Sequence, residues 1–311
     1  MFLLAGLMGV VMAGLALDLS PAAEDRPDDD DGDNAAPRDD AEGTLPPIMP
    51  DPPAGDGGEA SPAPGLIAGG GGADQLGGTD ASDRILGRGN DDDIAGGQGD
   101  DTIHGGHGDD WVLGDGDYGP GGNDLLEGGA GHDHLAGQGG DDLIRGGMGD
   151  DTLFGGEGSD TIFGGPGSDW IQGNAGDDYL IAGPGAKDVD GGGGDDLLVG
   201  DDDRQTAWLH GGEGDDVMMP GAGDFAEGQG GADVYAMRDT GGEMPVIQGF
   251  DGAEDRLEVH LPPDRAETAT VDLQPQADGT VLVRVDGIGI ARLIDAQDLR
   301  PDEIVIVRFP G

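Results

Sequence analysis

A nine-residue pattern recurs through the middle of this chain. The stretch Gly96–Leu113 reads GGQGDDTIHGGHGDDWVL, and thirteen nonamers between residues 69 and 236 share its plan, with Gly at positions one and four, Asp at six and an apolar residue at eight. A fixed period of this kind predicts a solenoid in which each repeat packs against its neighbours. Adjacent carboxylates repel each other, so the pattern also requires a ligand that offsets their charge.

The charge of the chain restricts its partners. The 311 residues carry 66 Asp and Glu against 14 Lys and Arg, which gives a formal net charge of −52. Nucleic acid and anionic membrane surfaces are therefore not expected to bind, because both require basic residues. With 68 Gly, 4% aromatic residues and no Cys, the chain has neither a large aromatic core nor disulfides. Cations are the expected ligands and the expected crosslinks.

The nonamers from Gly69 to Ala236 resemble the calcium-binding nonapeptide GGxGxDxUx of RTX (haemolysin-type) proteins. The resemblance implies an all-β fold, a parallel β-roll in which each nonamer makes a turn and a short strand and two nonamers make one coil. It implies multiple Ca²⁺ ions, each held between consecutive coils by turn carbonyls and by the Asp at position six. The residue at position eight is expected to point inward.

Fifteen copies of the sixth-position Asp are the predicted calcium ligands. They are Asp74, Asp83, Asp92, Asp101, Asp110, Asp124, Asp133, Asp142, Asp151, Asp160, Asp169, Asp178, Asp196, Asp216 and Asp233. The acids at position five, such as Asp100 and Asp141, are predicted instead to adopt a left-handed turn conformation and to offer a backbone carbonyl.

Four places depart from the pattern. Gly114–Tyr118 is an insertion of five residues, Lys187 replaces a sixth-position Asp, Asp201–Ala207 lacks the turn glycines, and Pro220–Glu227 is one residue short. Sites next to these places are not expected to follow the common plan. The Lys187 ammonium is expected to stand where an ion would otherwise sit.

Composition divides the chain into four segments. Residues 1–17 are apolar and predict a signal peptide or a membrane anchor, the one expected contact with a membrane. Residues 18–68 are acidic and rich in Pro and Gly, which predicts a disordered linker. Residues 69–236 are the predicted calcium-binding roll. Residues 237–311 are the predicted β-rich cap, which in this family also carries the signal for type I secretion.

The cap has its own sequence features. Val246–Leu261 resembles the capping segment of serralysin-type secreted proteins, and Asp251 and Asp255 are candidates for a last calcium site. Alternating runs at Thr268–Leu273, Thr280–Val285 and Ile304–Phe309 predict a small set of antiparallel strands. These strands would cover the open end of the roll.

The outer faces of the roll are predicted by assigning alternate nonamers to alternate sheets. An apolar stripe from Phe163 to Met219 falls on one sheet, and Trp111, Trp170 and Trp208 fall on the other. Solvated sheet faces seldom carry so many apolar residues, so the C-terminal strands or a second molecule are expected to cover the stripe.

The expected function is that of a calcium-binding protein of the bacterial cell surface or exterior, which folds on extracellular calcium. A structural or adhesive role is expected, with a cell-surface or matrix glycan or protein as partner. The chain contains no HExxH motif and has no room for a separate catalytic domain, so an enzyme is not expected. The alternative is an RTX-bearing polysaccharide-modifying enzyme or accessory module, similar to an epimerase, which would use a groove on the outer face.

Overall fold

The structure is a computed structural model that describes residues 65–116, 121–203, 205–239, 241, 243–294, 296 and 299–308. The predicted signal peptide or anchor at residues 1–17 lies outside these residues, and so does the predicted linker up to residue 64. Within the described ranges, no helix is both long and apolar enough to cross a bilayer.

Strands alternate along the chain between two sheets. The first sheet has twelve strands, in the spatial order β1 (Leu66–Ala68), β3 (Arg84–Gly89), β5 (Thr102–His107), β7 (Leu125–Ala130), β9 (Leu143–Met148), β11 (Thr161–Phe163), β13 (Tyr179–Ile181), β15 (Leu197–Val199), β17 (Val217–Met219), β19 (Val234–Met237), β21 (Arg256–Leu261) and β25 (Val305–Arg308).

The second sheet has thirteen strands. Their spatial order is β2 (Gln75–Gly77), β4 (Asp93–Gly97), β6 (Trp111–Asp115), β8 (His134–Gly139), β10 (Thr152–Glu157), β12 (Asp169–Ala175), β14 (Lys187–Gly193), β16 (Ala207–Glu213), β18 (Phe225–Gly230), β20 (Val246–Gln248), β24 (Ile288–Leu293), β23 (Val281–Val285) and β22 (Val271–Pro275).

The register of the parallel strands repeats the register of the sequence. Ile144 in β9 pairs with Ile162 in β11, and Ile162 pairs with Leu180 in β13, so each coil takes two nonamers. The five-residue insertion lengthens one coil without breaking the ladder, because Ile103 still pairs with Leu126. The predicted parallel β-roll is confirmed, and β1 already belongs to it although it lies in the predicted linker.

The core is a narrow column built from the eighth residue of each nonamer. These side chains are fully buried from Ile85 to Leu198, whereas Leu76 in the first coils is partly exposed. Side chains alternate in and out along a strand, so a strand of three residues contributes one core residue. Burial in this column is therefore thin, and the fold depends heavily on its turns.

The C-terminal part extends both sheets. β20 and β21 continue the parallel pairing beyond residue 236, and β22, β23 and β24 form the predicted antiparallel region. The prediction for Ile304–Phe309 was wrong, because β25 pairs in parallel with β21. Between β21 and β25 the chain forms α1 (Pro263–Ala266), the strands β22–β24 and a 3₁₀ turn (Pro301–Glu303). It then rejoins the first sheet as β25, which runs parallel to β21.

The outer faces carry the predicted residues, but the C-terminal strands do not cover the stripe. These strands join the ends of the sheets, and the stripe residues from Phe163 to Met219 stay partly exposed. On the other sheet Trp170 and Trp208 are 45% and 46% exposed. Trp208 stacks on Phe225 with ring centroids 4.3 Å apart, which is a cross-strand pair that stabilises the sheet.

Candidate calcium sites

The sixth residue of each nonamer lies at the end of a turn, immediately before a strand or as its first residue. Turns that lead into the twelve-stranded sheet form one edge of the solenoid, called edge A, and turns that lead into the thirteen-stranded sheet form edge B. Edge A carries the predicted ligands Asp83, Asp101, Asp124, Asp142, Asp160, Asp178, Asp196, Asp216 and Asp233. Edge B carries Asp74, Asp92, Asp110, Asp133, Asp151 and Asp169.

One oxygen of each sixth-position carboxylate links two coils. Asp160 Oδ1 accepts a hydrogen bond from the backbone N–H of Asp142, and Asp178 Oδ1 accepts one from Asp160, at 2.8 and 2.7 Å. The same bond joins successive sixth positions along both edges, at 2.6–3.1 Å. The predicted sharing of each site between consecutive coils is consistent with this ladder.

The second oxygen is buried and has no protein donor in most of these residues. This holds for Oδ2 of Asp92, Asp101, Asp110, Asp124, Asp133, Asp142, Asp151, Asp160, Asp178, Asp196 and Asp216. Asp74 and Asp83 differ, because their Oδ2 atoms accept N–H groups of their own turns, from Gly70 and Thr79. A buried carboxylate oxygen without a partner is costly, so the eleven others require a ligand.

The first glycine of the nonamer makes room for this oxygen. A Cβ on Gly146 would lie 2.4 Å from Asp151 Oδ2 and 2.7 Å from the carbonyl oxygen of Gly164 in the next coil. Repeats along both edges show the same close approach of a carboxylate oxygen and a carbonyl oxygen. Glycine is required here because any side chain would occupy the space that the two oxygens share.

Burial raises the pKa of the sixth-position carboxylates from Asp92 onward. It brings the pKa of Asp101 to about 6, that of Asp124 to about 7 and that of Asp142 to about 8, with neighbouring carboxylates raising them further. The N–H group donated by the preceding coil opposes the shift. A cation next to Oδ2 would stabilise the charged form that burial disfavours.

The available donors fit calcium. Carboxylate and carbonyl oxygens are the ligands that Ca²⁺ prefers, in flexible geometry and with six to eight partners. Within the described ranges, no cluster of three or more His, Cys, Asp or Glu side chains could hold a metal ion. Ions on these edges therefore depend on backbone carbonyls of the turns in addition to the sixth-position carboxylates.

The acids at position five do not behave as predicted. Left-handed backbone is found at positions two and four, where Gly is replaced in a few repeats by residues such as Gln138 and Asn90. Asp141 has no such conformation, and its Oδ1 accepts the N–H of Ser159 in the next coil at 2.8 Å. The fifth positions therefore form a second, exposed ladder of hydrogen bonds between coils. Asp suits this position because its short side chain carries an oxygen that can accept such a bond.

Two residues that occupy sixth positions are missing from the predicted set. Asp224 Oδ1 accepts the N–H of Ala207 at 2.8 Å, and Asp255 Oδ1 accepts that of Asp233 at 3.1 Å. Asp224 was missed because its repeat is one residue short. Asp255 was predicted only as a candidate for a last site in the cap, because the glycine pattern has ended there. Both Asp residues lie two positions before a buried apolar residue, and this spacing identifies them as sixth-position residues.

The remaining departures from the pattern replace or interrupt the carboxylate ladder. At the insertion, the buried Asp115 accepts N–H groups of Gly122 and Gly139 at 3.0 and 3.2 Å. At the glycine-poor repeat, the sixth position is Ala207 and supplies no carboxylate. The Lys187 ammonium lies 3.0 Å from Asp169 Oδ2 on edge B.

Metal-free protein should lose stability as the pH rises. The folded-state pKa values of about 6 to 8 lie above the ordinary value of 3.8, so proton uptake favours the fold. This contribution is fully present below about pH 4 and is lost as the pH rises through 6 to 8. Far-UV circular dichroism of calcium-depleted protein should therefore show more β structure at pH 5 than at pH 8, where the chain is expected to be unfolded. More β structure at pH 8 would contradict the raised pKa values.

Comparisons with known proteins agree with the repeat geometry. The family profile of the RTX calcium-binding nonapeptide repeat, in four copies, matches residues 68–103, 86–119, 118–153, 154–186 and 208–224. A search of curated protein sequences finds no match.

Nine chains of solved structures match this chain. One is the extracellular lipase LipA from Serratia marcescens, at 17% identity and a TM-score of 0.18, over 73% of this chain and 40% of the lipase. The matched part thus spans less than half the length of that lipase.

Three observations together identify the repeats. The family profile matches them, each coil takes two of them, and their sixth-position carboxylates form two rows. The repeats of the solenoid over residues 68–186 and 208–224 are therefore RTX calcium-binding nonapeptide repeats.

Proposed function

We propose that this chain is an exported, non-enzymatic β-roll protein with a structural or adhesive role, which folds when it meets extracellular calcium. The observation that carries the proposal is the row of buried Oδ2 atoms without a protein donor along both edges. The backbone aligns these oxygens one coil apart on each edge, so each of them requires the same kind of ligand.

Calcium makes folding depend on the compartment. Neighbouring strands lie about 4.8 Å apart, so successive buried carboxylates on an edge repel each other strongly unless a cation offsets them. Extracellular calcium modules bind with dissociation constants of roughly 10⁻⁴ to 10⁻³ M, well above cytosolic calcium concentrations. The chain would therefore stay unfolded before export and fold outside, with the binding free energy serving as folding free energy.

Replacement of one buried sixth-position carboxylate should remove calcium. Asp142→Asn takes away a charged oxygen that is 3% exposed, so the number of ions bound per chain should fall by at least one. The matched control is Asp141→Asn, next to it in sequence but exposed at position five, which should keep the number unchanged. Calorimetric titration with CaCl₂ and metal analysis after gel filtration measure both. Equal counts in the two variants would contradict the assignment of edge ligands.

The adhesive part of the proposal rests on the apolar stripe of the twelve-stranded sheet. Tyr179, Ile181, Leu197 and Val199 are only half-buried in β13 and β15, on a face that no C-terminal strand covers. Exposed apolar surface of this kind is typical of sites that bind another protein. A second copy of this chain is the simplest partner, because calcium would remove much of the charge repulsion between copies.

Self-association should be detectable by sedimentation velocity of the calcium-loaded protein. The variant Ile181→Glu places a charge in the stripe and should shift the protein toward the monomer. Its control is Gln172→Glu, a half-buried ninth-position residue on the opposite sheet, which should leave association unchanged. A wild-type protein that stays monomeric at all concentrations would refute self-association through this face.

A further inference from the structure

Lys187 is unusual in its residue type and in its place. It is the only lysine among the 311 residues, whose other 13 Lys and Arg residues are all Arg. It stands at the sixth position of its nonamer on edge B, in register with Asp169 of the preceding coil. Its side chain and that of Asp169 are both fully buried. A lone lysine is seldom buried without a specific partner.

Three oxygens surround the ammonium. Nζ lies 3.0 Å from Asp169 Oδ2, donates a hydrogen bond to the carbonyl oxygen of Pro184 at 2.8 Å, and donates another to the carbonyl oxygen of Gly167. Pro184 is at position three of the same nonamer, and Gly167 is at position four of the nonamer one coil earlier. The ammonium thus donates two hydrogen bonds to carbonyl oxygens and forms a buried ion pair with the carboxylate.

These oxygens are of the types that a calcium ion between two coils would use. They combine a sixth-position carboxylate oxygen with turn carbonyls from two consecutive coils. In the other coils, Oδ2 of residues such as Asp151 and Asp133 is buried without a donor. At this level, the chain supplies a cation of its own to the corresponding oxygen.

We propose that Lys187 is a built-in cation that takes the place of one calcium ion between consecutive coils of edge B. This inference rests on the proposed role of the sixth-position carboxylates as calcium ligands. The following coil of edge B carries Ala207 at position six and adds no carboxylate there. Edge A keeps an Asp at the same levels, Asp178 and Asp196, so the interruption affects one edge only.

Two consequences follow for the assembled roll. The contact between the nonamers that contain Asp169 and Lys187 is independent of calcium concentration, because its cation is covalently attached. Edge B therefore consists of a calcium-binding run that ends before Asp169, the metal-independent staple, and Asp224 beyond Ala207. Edge A keeps a sixth-position Asp at each level from Asp83 to Asp233. Calcium-binding capacity is distributed unequally between the two edges.

The wild-type protein allows a direct test, because Lys187 carries the one side-chain amine of the chain. The full chain in saturating calcium is treated with an amine-reactive acetylating reagent, digested and analysed by mass spectrometry. Lys187 should be protected at least tenfold relative to the urea-unfolded chain. Rapid acetylation in the folded, calcium-loaded protein would overturn the inference, since it would show that the ammonium has left the oxygens.

A variant tests the exchange of ammonium for metal. Lys187→Asp restores the family residue, so the calcium count per chain should rise by one. The control Asp188→Asn changes the next residue, which points out of the sheet toward His210, and should leave the count unchanged. A folded Lys187→Asp protein with the wild-type count would overturn the inference. A wild-type chain that binds no calcium would instead overturn the proposed function, while the acetylation result still reports where the ammonium lies.

Discussion

Gly147→Ala should destabilise the calcium-loaded roll more than any substitution of an exposed side chain. Gly147 is at position two of its nonamer, with φ of +117°, and a Cβ there would lie 2.2 Å from the carbonyl oxygen of Gly129 in the preceding coil. The strained backbone costs about 1–3 kcal/mol. Overpacking against backbone that cannot move aside costs about 1–3 kcal/mol more. Urea unfolding in several millimolar calcium measures the loss.

The first coils contain a matched control. Gly70 occupies the same position two, but its φ is not positive and no coil precedes it among the described residues. The nearest atom to an added Cβ is Asp74 Oδ2 at 3.6 Å. Gly70→Ala should therefore change the free energy of unfolding by less than about 0.5 kcal/mol. Equal destabilisation by the two variants would show that close stacking of turns does not determine where glycine is required.

Withdrawal of calcium should have the largest effect on the chain as a whole. Along edge A, carboxylates at successive levels are buried, and a net charge of −52 acts on the full chain. The core column supplies one aliphatic side chain per nonamer, so apolar burial is small compared with the backbone entropy that folding removes. Without cations, the buried carboxylates must be protonated or repel each other, and at neutral pH we expect the roll to unfold.

Much of this fold could be predicted because the sequence period equals the structural period. A repeat of nine fixes which residue enters the core, and Ile144 and Ile162 lie one above the other because they are 18 residues apart. The same step places Asp142 beside Asp160 on one edge. Recurrence of glycine marks turns in which coils approach each other closely. Local sequence alone thus determines register, edges and core.

The features that could not be predicted depend on contacts that the nine-residue repeat does not determine. The role of Asp141 is set by a backbone N–H of the next coil, and nothing in its own nonamer distinguishes that ladder from a left-handed turn. The direction of β25 is decided by a crossover through the cap, where the period has ended. Asp224 was hidden by a single deletion, which shifts the glycine pattern but leaves the spacing to the inward Ala226 unchanged.

The most direct test of whether cations hold the coils together uses far-UV circular dichroism and small-angle scattering of the full chain. Both are recorded at pH 7.5, first in excess EDTA and then in several millimolar free calcium. We expect a disordered spectrum and an expanded chain in EDTA, and a β-rich spectrum with a compact particle once calcium is restored. Magnesium at the same concentration is the control and should not restore the fold, because Mg²⁺ demands a more rigid geometry and retains its water. A compact, β-rich chain that resists heating in EDTA would contradict a calcium-dependent roll.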